Sequence, residues 1–314
     1  MPIPSSNPIT AEGVELGRRL FYDELLSEDF SMSCSSCHLP VGSFTDNEAV
    51  SKGIDGIAGK RSSMSLLNIG YADNGLFWDG RSTTLEEQAL VPVEDPIELH
   101  TSWPTVVERV KQHQTYPELF RKAFGIKDRD EISKELVAKA LAQFQRTLVS
   151  SGNAKYDRWI RNEAEFTDEE FLGYVLFFDL DPNVKDAECG HCHNAPLFNT
   201  DDYFNNGIEP IENLSDFPDR GRAEVTGDEF DAGRFRAPTL RNITLTGPYM
   251  HDGRFQTLEE VVDHYNSGGH FQANKDPLIR PLQLLNHEKE ALISFIHTLT
   301  DSTFIETPQF QDPN

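Results

Sequence analysis

Cysteine is scarce in this chain and none is spare. Its 314 residues hold four, all within two short stretches, so a disulfide framework spread through the fold is excluded. Basic residues are also few. Twenty-eight Lys and Arg face 52 Asp and Glu, a net charge of −24, which argues against a nucleic-acid partner whose phosphates would be repelled. No apolar run approaches the length of a membrane span. No βαβ pattern is evident, no internal repeat shows beyond a doubled cysteine motif, and no histidine occurs between His38 and His100. The apolar fraction is only 38%, although 21 Phe supply bulky core material.

What is present is organised around Cys34-Ser-Ser-Cys37-His38 and Cys189-Gly-His-Cys192-His193. Each reads C-x-x-C-H, the pattern for covalent attachment of a c-type haem: two thiols add to the vinyl groups and the adjacent imidazole becomes an axial iron ligand. A redox dithiol, a structural disulfide or one zinc site with four thiolates would use the same cysteines. None of these requires a His directly after both pairs. Two covalent haem c groups are therefore expected, with iron ligated by His38 and His193. The spacing of the motifs suggests one haem per domain.

The rest of the chain reads as mostly α, with long connecting loops and little strand. Helices are expected over 11–26, 83–90, 104–124, 133–150, 168–178, 257–265 and 287–299. The last four rest on apolar stripes and on capping boxes at Thr167–Glu170 and Thr257–Glu260. Pro92, Pro96 and Glu98 are expected in a loop, and 39–75 and 199–235 read as loops. Residues 153–165 are the candidate boundary between an N-terminal domain, 1–160, and a C-terminal domain, 161–314. Met1-Pro-Ile-Pro reads as a mature chain restarted with Met after removal of a signal peptide. Covalent haem attachment then implies a periplasmic protein. The acidic surface suits steering of a basic protein partner and equally suits solubility in a salty habitat.

Phe77-Trp-Asp-Gly-Arg81, Ala237-Pro-Thr-Leu-Arg-Asn242, Thr246-Gly-Pro-Tyr-Met-His-Asp-Gly253 and Thr257-Leu-Glu-Glu260 stand in order with the two haem motifs. On these the chain resembles the bacterial dihaem cytochrome c peroxidase family, including its MauG-like members, over nearly its whole length. The resemblance implies two cytochrome c-like domains, a peroxidatic haem in the first and an electron-transfer haem in the second. It implies that Trp78 lies between the haems and couples them, that Glu98 is the distal acid, and that Gln88 and Pro92 line the distal pocket. One carboxylate can carry the proton that peroxide must lose from one oxygen and gain on the other. Many relatives carry a removable distal His after the first motif. Here Ile54 stands near that place and Met64 is the nearby sulfur, so a five-coordinate, high-spin first haem is expected.

For the second haem the family position, 14 residues after His251, is Tyr265; Tyr265 also falls on an apolar helical face with Leu258, Val261 and Val262. Met250, His264 and His270 are rival ligands. The resemblance further implies one calcium ion on the Thr246 and Pro248 carbonyls, with Ser62 or Asn68 from the first half.

The expected function is a dihaem c-type peroxidase that reduces hydrogen peroxide to water at the first haem. Electrons would come from a small cytochrome c or copper protein through a His/Tyr-ligated second haem. The alternative is a MauG-like enzyme that uses peroxide and a high-valent dihaem state to oxidise Trp or Tyr of a partner protein. Tyr265 favours it. Ala187, where MauG places a surface Trp, does not. A dihaem electron carrier is the third reading, and an open first iron argues against it. Relatives are often homodimers.

Overall fold

The computed structural model describes residues 1–313. Thr10 opens the first helix, α1 (Ala11–Tyr22), by accepting the Gly13 amide on its hydroxyl at 3.0 Å. The helices that follow are α2 (Leu85–Glu94), α3 (Trp103–Gln112), α4 (Tyr116–Phe124), α5 (Lys134–Gln145), α6 (Lys155–Ile160) and α7 (Asp168–Phe178). They continue with α8 (Cys189–Cys192), α9 (Ala223–Thr226), α10 (Leu258–Ser267), α11 (Asn286–His297) and α12 (Ser302–Ile305). Strand is confined to one antiparallel pair, β1 (Tyr203–Phe204) against β2 (Phe235–Arg236), with Tyr203 opposite Arg236. The fold is mostly helical with long loops, as the sequence suggests.

Two expectations about helices are corrected. The single helix expected over 104–124 is two, because Pro117 has no N–H to give the carbonyl of His113, where the first one ends. Pro92 lies inside α2, two residues before its last, Glu94, and not in a loop. Its ring costs only one helical bond there, the one to the Gln88 carbonyl, and the Pro92 carbonyl instead accepts from the Leu99 amide at 3.1 Å.

A repeat runs through the whole chain that the sequence reading missed. Leu16-Gly-Arg-Arg-Leu-Phe21 precedes the first haem motif and Leu172-Gly-Tyr-Val-Leu-Phe177 precedes the second. Ala140-Leu-Ala-Gln-Phe144 and Ala291-Leu-Ile-Ser-Phe295 are the matching helices. The glycine of each pair is where the helices touch. A Cβ on Gly17 would lie 1.9 Å from the Ala140 carbonyl oxygen, and one on Gly173 would lie 1.9 Å from that of Ala291. Asn68 and Asn242 are likewise equivalent. Both take a left-handed conformation (φ 62° and 59°), and each side-chain oxygen accepts the amide just beyond the matching helix, at Ser150 and Asp301. Because the obstacle at Gly173 is backbone, Gly173→Ala must push α7 and α11 apart. A loss of about 2 kcal/mol or more is expected, readable as a lower unfolding temperature of the haem-loaded protein.

Buried side chains gather in two main clusters. One is built from residues 16–148 around Phe21, Phe44, Phe120 and Phe144, and the other from residues 156–299 around Phe177, Phe198 and Phe295. The chain end crosses back: Phe304 is buried in the first cluster, 5.9 Å from the Phe44 ring centre.

Candidate functional site

Each haem motif opens into its own cavity. Cys34, Cys37 and His38 line the first, of about 440 Å³. Cys189, Cys192 and His193 line the second, of about 220 Å³. The four thiols therefore cannot share one zinc ion, and none is disulfide-bonded. Burial pushes Cys37 up to about 11 and the other three up to about 12. Held protonated by burial, they are not activated nucleophiles.

The two histidines are presented alike. Burial lowers both pKa values, His193 to about 4, so the rings are neutral. His38 Nδ1–H donates to the Phe44 carbonyl at 2.8 Å, and His193 Nδ1–H donates to those of Pro238 and Phe198 at 3.1 and 3.2 Å. That fixes the tautomer and leaves the Nε2 lone pair free for a metal. The Ala237–Asn242 stretch serves this purpose, since Thr239 and Arg241 also donate to the carbonyls of Leu197 and Pro196 behind the ring. Unpaired thiols, neutral imidazoles with a free Nε2 and predominantly apolar walls fit a covalent haem in each cavity.

The first cavity is also lined by Gln88, Pro92, Glu98 and Trp78, and His38 is the one histidine on its wall among the described residues. Ile54 is not on the wall; Met64 is. Glu98 sits on a tight turn that follows α2. Its amide donates to the Asp95 carbonyl at 3.0 Å, its carbonyl accepts from Ile54, and the next residue, Leu99, is locked in the core. Gly53 allows this approach, as a Cβ there would lie 1.6 Å from the Ile97 oxygen. Burial, reinforced by Asp95 and opposed by Arg81, pushes the Glu98 carboxyl up to about 7. A carboxyl held there accepts and returns a proton near neutrality.

The second cavity is lined by Tyr265 and by Met250, whereas His264 and His270 are not on its wall. His264 Nε2 is engaged at 3.0 Å with the Asn206 carbonyl. Burial raises the Tyr265 phenol to about 12, and a hydrogen bond from Asn206 Nδ2 (3.4 Å) works against that. Asn206 was not singled out by sequence reasoning. No motif marks it, and only the packing of its loop against α10 brings it there.

The repeat exposes the difference between the cavities. Thr84-Leu-Glu-Glu87 matches Thr257-Leu-Glu-Glu260, and Asp79-Gly-Arg81 matches Asp252-Gly-Arg254. In that register Tyr265 corresponds to Pro92, and each lines its own cavity. A phenol oxygen stands in the second half where the first half has a side chain with no donor atom.

Trp78, Ser62, Ser63 and Met64 line both cavities. Trp78 Nε1 donates to the Ser62 carbonyl at 2.9 Å, and the Ser62 amide donates to the His251 carbonyl at 2.7 Å. Thr246 and Pro248 share the second cavity with Ser62, and no hydrogen bond among the described residues ends on their carbonyls. Asn68 is not there; both its amide atoms meet Ser150. Asn47, unremarked in the sequence, spans the halves instead, donating to the Leu245 and Gly247 carbonyls at 2.7 and 2.9 Å.

Comparison with known proteins agrees on one family. The di-haem cytochrome c peroxidase profile matches residues 11–165. The methylamine utilization protein MauG of Methylorubrum extorquens is 35% identical over 98% of this chain and 84% of its own length. The cytochrome c551 peroxidase of Nitrosomonas europaea is 35% identical over 99% and 86%. A solved MauG-like protein associated with microbial copper homeostasis superposes with a TM-score of 0.91 at 36% identity, covering 100% of this chain and 97% of that one.

Proposed function

Because this chain belongs to the di-haem cytochrome c peroxidase family, we propose that it reduces hydrogen peroxide to two waters in the first cavity, with two electrons and two protons. The observation that supports this reading is the pairing of Pro92 with Tyr265: at the position where the second cavity has a phenol oxygen, the first has no donor atom, and Glu98 lines the same cavity. Two haems, when bound, supply an iron that activates peroxide and an iron that receives electrons. The chain's own residues do the rest. Cys34, Cys37, Cys189 and Cys192 anchor the groups, and His38 and His193 ligate iron. Tyr265 closes the second site. The Glu98 carboxylate takes the proton of one peroxide oxygen and returns it to the other, while the Gln88 amide orients peroxide or water. Trp78 couples the two sites.

The chain then divides near residue 160 into two cytochrome c-like domains, supported by the two core clusters and by the repeat, with the tail from 302 lying on the first. A calcium ion would rest on the unused carbonyls of Thr246 and Pro248 with Ser62 close by, since hard cations favour such oxygens. Covalent haem attachment, completed outside the cytoplasm, supports a periplasmic setting for this chain. Among the described residues no helix is long and apolar enough to cross a membrane. The electron donor is a small basic cytochrome or copper protein, attracted by the net charge of −24.

One observation favours a second reading. Tyr265, an anionic donor when bound to iron, stabilises oxidised states, as a MauG-like oxidation of Trp or Tyr on a partner protein would need. Ala187 lines the second cavity and offers no aromatic exit there. One equivalent of peroxide added to the diferric protein separates the readings. Fast oxidation of a reduced carrier cytochrome supports the peroxidase. A long-lived spectral change with little carrier oxidation supports the MauG-like enzyme. No spectral change at all contradicts both.

A further inference from the structure

Trp78 belongs to the first half, yet the loop that carries it is held by the second. The Tyr203 hydroxyl donates to the Asn74 carbonyl at 2.5 Å. The Arg236 amide donates to the Trp78 carbonyl at 2.8 Å. Arg222 Nη1 donates to the carbonyls of Asp79 (2.9 Å) and Gly80 (3.1 Å). The carboxylate of Asp201 accepts the Asp73 amide at 3.1 Å and also pairs with Arg236. Beneath the loop, Arg61 donates to Asp79 at 2.5 Å and to both oxygens of Asp219 at 2.7 and 2.8 Å. Burial opposes the charge on Arg61, but these two carboxylates outweigh it.

The fit leaves no slack. The Arg222 guanidinium lies 4.4 Å from the centre of the Tyr203 ring. A Cβ on Gly80 (φ +75°) would sit 2.0 Å from the Tyr203 hydroxyl and 2.3 Å from Arg222 Nη1. This accounts for a glycine two residues after the tryptophan. Neither Tyr203 nor Arg222 lines either of the two cavities, and Arg236 reaches Trp78 through its backbone.

We propose that Tyr203 and Arg222 are positioning residues for Trp78. Together they fix the 74–80 loop to the second half and thereby set electron transfer between the two sites. The proposal rests on Trp78 being the coupling residue. Placing a relay group matters as much as having it, because electron transfer weakens exponentially with the distance it must cross.

The test uses the haem-loaded protein. One electron is delivered rapidly to the second haem, and its passage to the first is followed optically in the native chain, Trp78→Phe, Arg222→Gln, Arg222→Lys and Tyr203→Phe. Spectra and unfolding temperature are recorded for each. Trp78→Phe is expected to slow equilibration. Arg222→Gln and Tyr203→Phe should slow it several-fold with both haem spectra unchanged, and Arg222→Lys should restore part of the rate. Native rates in Arg222→Gln and Tyr203→Phe, with only a lower unfolding temperature, would overturn the clamp while leaving Trp78 as the bridge. A native rate in Trp78→Phe would overturn the bridge and the clamp together.

Discussion

Glu98→Gln is expected to lower kcat/KM for hydrogen peroxide by about 10²–10⁴-fold, the usual worth of a positioned proton-transfer group. The amide keeps the size and shape of the side chain, and the turn that places it is made by backbone bonds and by Leu99. The haem spectra and the fold should therefore be unchanged. The pH profile carries a second signature. The group must be ionised to accept a proton, and burial holds its pKa at about 7. In the native chain kcat/KM should rise through pH 7 and then level off, and in Glu98→Gln that rise should vanish. Stability moves the opposite way. A carboxyl whose pKa is higher folded than unfolded helps the fold at low pH and loses that contribution as pH climbs through 7. Glu98→Gln should thus be the more stable protein at pH 8. Stopped-flow kinetics and thermal unfolding across pH 5–9 check both.

Tyr265→Met is expected to raise the potential of the second haem by on the order of 0.1 V or more, within the roughly 0.8 V that axial ligands command. The phenol oxygen is a hard donor that favours oxidised iron, whereas a thioether favours reduced iron. The long-lived product of one equivalent of peroxide should shorten in this variant, while turnover with a reduced carrier should survive. Spectroelectrochemical titration of the two haems reads the shift directly. An unchanged potential would mean that Tyr265 is core packing on α10, and that Met250, which lines the same cavity, is the donor.

The sequence announced its chemistry more readily than its architecture. Both haem motifs were legible, because vinyl attachment demands that spacing. The capping boxes at Thr167 and Thr257 began their helices where expected. Trp78, Glu98, Gln88, Thr246 and Pro248 all came to a cavity wall. The repeat was equally present in the letters and was overlooked, because its signature is sparse. Each shared stretch is only a few residues long, and loops of different length separate one from the next. Once the crossings at Gly17 and Gly173 are seen, Asn68 reads as the partner of Asn242 and its packing against Ser150 follows. Asn206, Tyr203 and Arg222 could not be found in this way. They lie in a polar stretch, on or beside β1 and α9, whose value comes from what it touches across the molecule, and a single sequence does not record those distances.

Electron paramagnetic resonance of the resting diferric protein tests the central asymmetry most directly. One high-spin and one low-spin signal in equal amounts are expected, the first from an iron with His38 alone and the second from an iron between His193 and Tyr265. A spectrum wholly low-spin, with both irons closed by protein side chains, would contradict the account.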